Sequence, residues 1–202
     1  MRVETKTVTY YTLAELKEHH PNGYERALDK LRTSLWEDGQ RESVSEDITY
    51  EFGQRVGDTT VERYGTGDYP GVDGVELKGW DLERGSYVAF AGTLTPENSP
   101  ALPWHDWLEQ VDLRAGRSYT ENNVVDSENA PYIPWNKRET DYDEDQRALV
   151  QIRDAMRDAI DAALSEALAS GQRAAEHLES EENLLELAQA NEWEFDEHGA
   201  WA

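Results

Sequence analysis

Asp154, Asp158 and Asp161 stand at i, i+4 and i+7 in a segment whose apolar residues recur at helical spacing. Side chains three or four apart on a helix are neighbours, with Cβ atoms about 5–6 Å apart. That is close to the spacing of successive phosphates on a nucleic-acid strand. Carboxylates so placed can present a phosphate-like row of charge to a protein built to hold nucleic acid. Glu179, Glu181 and Glu182, with Glu176 and Glu186, extend the row beyond the helix. Like charges this close repel, and Arg153 and Arg157 soften the repulsion. A solvated helix face is the plainer account of the same residues.

Other residue groupings with chemical potential are weaker. Trp104–His105–Asp106–Trp107 sets an imidazole beside a carboxylate, the pairing of a general base. Sequence neighbours rarely orient one another in that way, and no nucleophile is marked. Two indoles anchoring a proline-rich loop is the structural alternative, and exposed indoles at Trp104, Trp107 or Trp135 would serve as anchors for a partner. His19 and His20 are adjacent on a short helix and point in different directions, which does not suit one metal ion. The loop GTGDYPGVDG (Gly65 to Gly74) lacks the Gly-Lys-Ser/Thr of a phosphate loop, and Asp68 and Asp73 would repel phosphate. Its acids do not follow the calcium-loop spacing either. The expectation is no catalytic residue, no metal site and no cofactor.

Charge ranks the partners. The 202 residues contain 43 acids and 19 Lys or Arg, a net charge of −24. From Thr140 to Ala202 there are 17 acids and four arginines, net −13, whereas the first 139 residues are net −11. Such a field repels nucleic acid and anionic membrane and attracts basic surfaces. Solubility alone, or a salt-adapted origin, would also yield an acidic chain, yet Glu outnumbers Asp and the acids gather toward one end. Seven Trp, ten Tyr and three Phe are far too many for a disordered acidic tail and call for a packed core. The absence of Cys excludes disulfides and thiolate metal sites. MRVETKTVTYY lacks the apolar centre of a secretory signal, and no run is long enough to span a bilayer, so a cytoplasmic protein is expected.

The elements that must position these groups can be read from periodicity. Thr5 to Tyr11 alternates as a short strand. Thr12 and Glu15 form a capping-box pattern for LAELKEHH. A helix follows from about Gly23 to Glu37, ended by Gly39, with Tyr24, Ala27, Leu28, Leu31 and Leu35 on one face. Val44, Ile48, Phe52 and Val56, four apart, predict a third helix stopped by Gly57. Thr59 to Tyr64 reads as a strand and Gly65 to Gly74 as a loop. Val75–Asp81 and Ser86–Thr95 read as a hairpin. WHDWLEQVDL reads as a short helix or a turn into a strand, Arg117–Val125 as a further strand, and APYIPWN as an extended linker. Asp141 to Gly171 is the long helix, with Leu149, Ile152, Met156, Ile160, Ala163 and Ala167 as its apolar stripe. Ser180 caps a last helix, and Trp193 and Phe195 alternate with acids as in an edge strand.

The order of these pieces resembles a group of small accessory proteins of tailed bacteriophages, some labelled antitoxin-like. The resemblance rests on YYTLAELKEHHPNGYERALDKLR, on the hairpin VELKGWDLERGSYVAFAGTL, and above all on NEWEFDEHG (Asn191 to Gly199). It touches about a third of the chain and implies a phage origin rather than a mechanism.

The expected fold is α+β: a central antiparallel sheet, N-terminal helices and a long C-terminal acidic helix. The expected domains are an α+β core at 1–139 and an acidic helical segment at 140–202 ending in a short strand packed on that core. The expected function is a phage-encoded acidic binding protein, a DNA mimic or anti-defence factor, that inhibits or modulates a basic, nucleic-acid-handling host or defence protein. Asp154, Asp158, Asp161, Glu179, Glu181, Glu182, Trp104 and Trp107 are the expected partner-binding residues. Direct nucleic-acid or membrane binding is not expected. The alternative is an antitoxin-like or assembly module whose acidity serves only solubility and whose specificity lies in the central hairpin.

Overall fold

The Glu15 amide donates to the Thr12 hydroxyl, and the Thr12 amide donates to the Glu15 carboxylate. This is the capping box expected at the start of the first helix. The computed structural model describes residues 8–37, 39–57, 61–63, 67–69, 72–82, 86–106, 108–115, 120–125 and 142–202. In chain order the elements are β1 (Tyr11–Thr12), α1 (Leu13–His19), α2 (Pro21–Glu37), α3 (Gln40–Val56), β2 (Val61–Arg63), β3 (Gly67–Tyr69), β4 (Val75–Asp81), β5 (Tyr87–Leu94), β6 (Gln110–Ala115), β7 (Thr120–Val125), α4 (Glu144–Leu178), α5 (Glu181–Ala190) and β8 (Glu194–Phe195). The fold is α+β: in chain order, N-terminal helices, then an antiparallel sheet, then a long C-terminal helix. Packing separates two units, Met1–Ser43 with Arg173–Ala202, and Val44–Gln172.

In the first unit, α1, α2 and α5 enclose a core of Leu13, Leu16, Tyr24, Ala27, Leu28, Leu31, Leu35, Leu184, Ala188 and Phe195. The α2 residues among these are the stripe read from sequence. The helix starts two residues earlier than expected, at Pro21, because proline fits the first helical position, where its missing N–H is not needed. β1 pairs antiparallel with β8, Tyr11 opposite Phe195. Of the expected strand at Thr5–Tyr11, residues 5–7 lie outside those described, Val8, Thr9 and Tyr10 are not in a strand, and pairing starts only at Tyr11.

In the second unit, β4, β5, β6 and β7 form a four-stranded antiparallel meander in that order. Leu77 lies opposite Phe90, and Leu94 opposite Val111, so these residues share faces along the register. Phe52 of α3 stacks on Phe90 at 4.3 Å between ring centroids, which seats the helix on the sheet. Val44, Ile48, Phe52 and Val56 are all fully buried. The Gly65–Gly74 loop is corrected in part, since β3 within it pairs with β2, Glu62 opposite Asp68. The long helix also runs past its expected end at Gly171. That glycine is no cap: a Cβ there would lie 2.6 Å from Ile48, so it lets α4 and α3 approach closely. The helix has 35 residues, about 52 Å at 1.5 Å per residue. No helix among the described residues is long and apolar enough to cross a membrane.

Two turns test how glycine is used. Gly199 has φ +76°, and a Cβ there would lie 2.2 Å from the Gly23 carbonyl oxygen at the start of α2. Gly39 has φ +92° with open space around it. Gly39→Ala therefore costs only backbone strain, whereas Gly199→Ala adds a collision worth roughly 1–3 kcal/mol more. Urea denaturation of the two variants measures the difference, and equal losses would contradict the close approach.

Candidate functional site

The acids of α4 lie on the side away from its buried stripe, but not uniformly. Leu149, Met156, Ile160, Ala163 and Ala167 are buried, and Ile152 is half-buried. Asp154 and Asp158 are exposed, while Asp161 is half-buried beside Ile160. The carboxylate row is thus two exposed acids and a third at the margin. Arg157 donates to Asp154 at 3.3 Å, with both side chains about half exposed, a pair that holds little energy in water.

Glu179 and Glu181 are engaged within the first unit. Trp36 Nε1 donates to Glu179 at 2.7 Å, and Arg32 Nε donates to the Glu179 carbonyl at 3.3 Å. Glu181 Oε1 accepts from Lys17 Nζ at 2.5 Å and from the Tyr24 hydroxyl at 2.7 Å. One carboxylate at the first turn of α5 therefore ties α5 to both α1 and α2. The Lys17 hydrogen bond, then the one from Tyr24, holds the Glu181 carboxyl below its ordinary range. Burial, then the bond to Glu181, pushes the Tyr24 hydroxyl upward and keeps it protonated. Sequence reasoning placed Glu181 in a free acidic row. Its partners lie 164 and 157 positions away, and no local pattern announces them.

Glu182 is exposed, and so are Glu186, Glu192, Glu194 and Glu197. Glu182 and Glu186 sit one turn apart on α5, whose Leu184 and Ala188 are buried. From Arg173 to Ala202 there are nine acids and one arginine. This stretch, more than the middle of α4, concentrates acids over bases in sequence.

Trp104 is half-buried and its Nε1 donates to the Ser99 carbonyl at 2.8 Å. Asn98 and Ser99 close the same loop, with Asn98 Nδ2 donating to the Thr93 and Asp73 carbonyls. Its indole thus fastens a loop. Trp107 and Trp135 lie outside the described residues. His105 and Asp106 are both exposed. Among the described residues there is no group of three or more His, Asp or Glu placed to hold a metal ion.

An aromatic group not anticipated from sequence closes the first unit. Trp201 bridges Phe195 on the side away from β1, with the rings stacked at 5.9 Å, and meets Trp193 edge-on at 5.2 Å. Trp201 as a residue is still 44% exposed. The alternation of Trp193 and Phe195 signalled a strand, but Trp201 comes after a turn that the pattern does not reveal.

No family model, curated protein sequence or solved structure matches this chain.

The Glu181 geometry fixes a sign for pH dependence. A carboxyl held below its unfolded value adds stability that is present above that value and lost as pH falls through the folded one. The first unit should therefore lose stability below about pH 4.5. In Glu181→Gln this part of the acid dependence should be missing, so that the variant and the parent converge toward low pH. Chemical denaturation across a pH series measures it, and parallel curves would contradict the assignment.

Proposed function

We propose that the chain is a phage-encoded acidic binding protein that docks on a basic, nucleic-acid-handling host or defence protein in the host cytoplasm and inhibits or modulates it. The observation that carries this reading is the paired exposure of Glu182 and Glu186 on α5, in a stretch with nine acids and one arginine. Asp154 and Asp158 supply a second outward pair on α4. Both pairs have the i, i+4 spacing that sets carboxylates about 5–6 Å apart. Charge of this kind speeds encounter with a positive surface and suppresses binding to nucleic acid itself. The phage origin draws its support from the resemblance at NEWEFDEHG and the two N-terminal helices.

Each acidic pair faces solvent on a helix whose other side is packed, so its charge can be removed without touching the core. Partner captured from host lysate at low salt supplies the binding assay. Asp154→Asn with Asp158→Asn should leave the melt unchanged, and separately Glu182→Gln with Glu186→Gln should cost no more than about 1 kcal/mol, the contribution of Glu182 to the α5 dipole. At least one pair should slow association and flatten its salt dependence, because exposed charges act mainly through on-rate. Met156→Ala or Ile160→Ala should instead cost roughly 2–5 kcal/mol of stability. Unchanged on-rate and salt slope in both charge variants would make the acidity a solubility feature and move recognition elsewhere.

A further inference from the structure

A groove of about 380 Å³ opens to solvent on the first unit, lined by Asp29, Lys30, Thr33, Ser34 and Trp201. Its two hydroxyl groups have no donor capacity left. Thr33 Oγ1 donates to the Asp29 carbonyl at 3.0 Å and Ser34 Oγ to the Leu31 carbonyl at 3.3 Å. With its proton spent, each hydroxyl can only accept. The Asp29 carboxylate takes one bond from Arg32, at 3.1 Å, and its side chain is 75% exposed, so acceptor sites remain. Lys30 spends one of its three ammonium donors on the Gly199 carbonyl at 3.1 Å, which holds the cation at the turn leading to Trp201.

Trp201 is exposed, yet its ring is held. Phe195 stacks on it with 17° between planes, Trp193 meets it at 89°, and the Ala202 amide donates to the Glu194 carbonyl at 3.0 Å. An indole fixed in this way loses little freedom on binding, the property of an interface anchor. The groove therefore offers an aromatic face, a carboxylate and hydroxyl acceptors on α2, with Trp201 contributed by the most acidic stretch of the chain.

From this we infer that the groove receives an arginine side chain of the basic partner, its guanidinium stacked on Trp201 and donating to Asp29. Guanidinium suits the site because it is planar, carries five donors and no acceptor, and stacks on aromatic faces. Lysine matches the charge but offers a compact point cation without the plane. The inference rests on the reading of the chain as a binder of basic proteins, and it names the contact that would make such binding selective.

Capped peptides carrying three arginines separated by glycines, with lysine and citrulline counterparts, are the probes. Binding is followed at low salt by the Trp201 indole N–H signal in 15N spectra, identified by its loss in Trp201→Phe, and by calorimetry. The arginine peptide should move that signal and bind roughly fivefold or more tighter than the lysine peptide. Trp201→Ala should abolish the preference, Trp201→Phe should keep most of it, and Asp29→Asn should weaken it. Equal response to arginine and lysine peptides, or a preference that survives Trp201→Ala, overturns the inference and leaves the acidic-surface reading standing. Failure of both basic peptides to bind at low salt overturns the two together.

Discussion

Met156, Ile160, Ala163 and Ala167 return to one side of α4 every three or four residues, and each is 2% exposed or less. Their burial is the constraint from which the placement of the acids follows. A chain of net charge −24 repels itself, and compactness has to be held by apolar contact rather than by ion pairs. The same solution recurs on α3, where Val44, Ile48, Phe52 and Val56 are sealed, and on α2. Once one side of each helix is committed to the core, carboxylates are tolerated only on the other, where water screens them. Fold stability and surface charge can then be changed separately.

The first unit departs from this division at one point. Glu181 is recruited as a structural acceptor for Lys17 and Tyr24, while Ser180 caps α5 through the Asn183 amide. Glu181 and Glu182 also sit in the first turn of α5, where a negative charge favours the helix dipole. Not every acid in the terminal stretch is therefore available to a partner. Those that remain outward, Glu182 and Glu186 first among them, lie in the same unit as the Trp201 groove. Steering by diffuse charge and selection by a held aromatic ring would then be two functions of one unit.

Periodicity carried most of the fold because each long helix has an uninterrupted apolar stripe, and because Tyr87–Leu94 is rich in β-branched and aromatic residues. Gly171 was misread for a physical reason: glycine marks both a helix end and a close helix approach, and only the neighbouring Ile48 tells which. β3 was missed because Gly67–Tyr69 has a loop composition and becomes a strand through its pairing with β2. Charge composition divides the chain at 139/140, whereas packing divides it at 43/44 and 172/173. The candidate site was legible where exposure follows from helix geometry, at Asp154, Asp158 and Glu182. It was not legible at Glu181 or Trp201, whose roles depend on residues brought together from opposite ends of the chain.

Competition for a partner's nucleic-acid site tests the central claim most directly. The captured basic protein is loaded with labelled duplex, and this chain is titrated in at physiological salt while label release and complex composition are followed together. The account predicts that duplex is displaced as the protein–protein complex forms, with no species holding both. A stable ternary complex, or partner binding unaffected by saturating duplex, would contradict it.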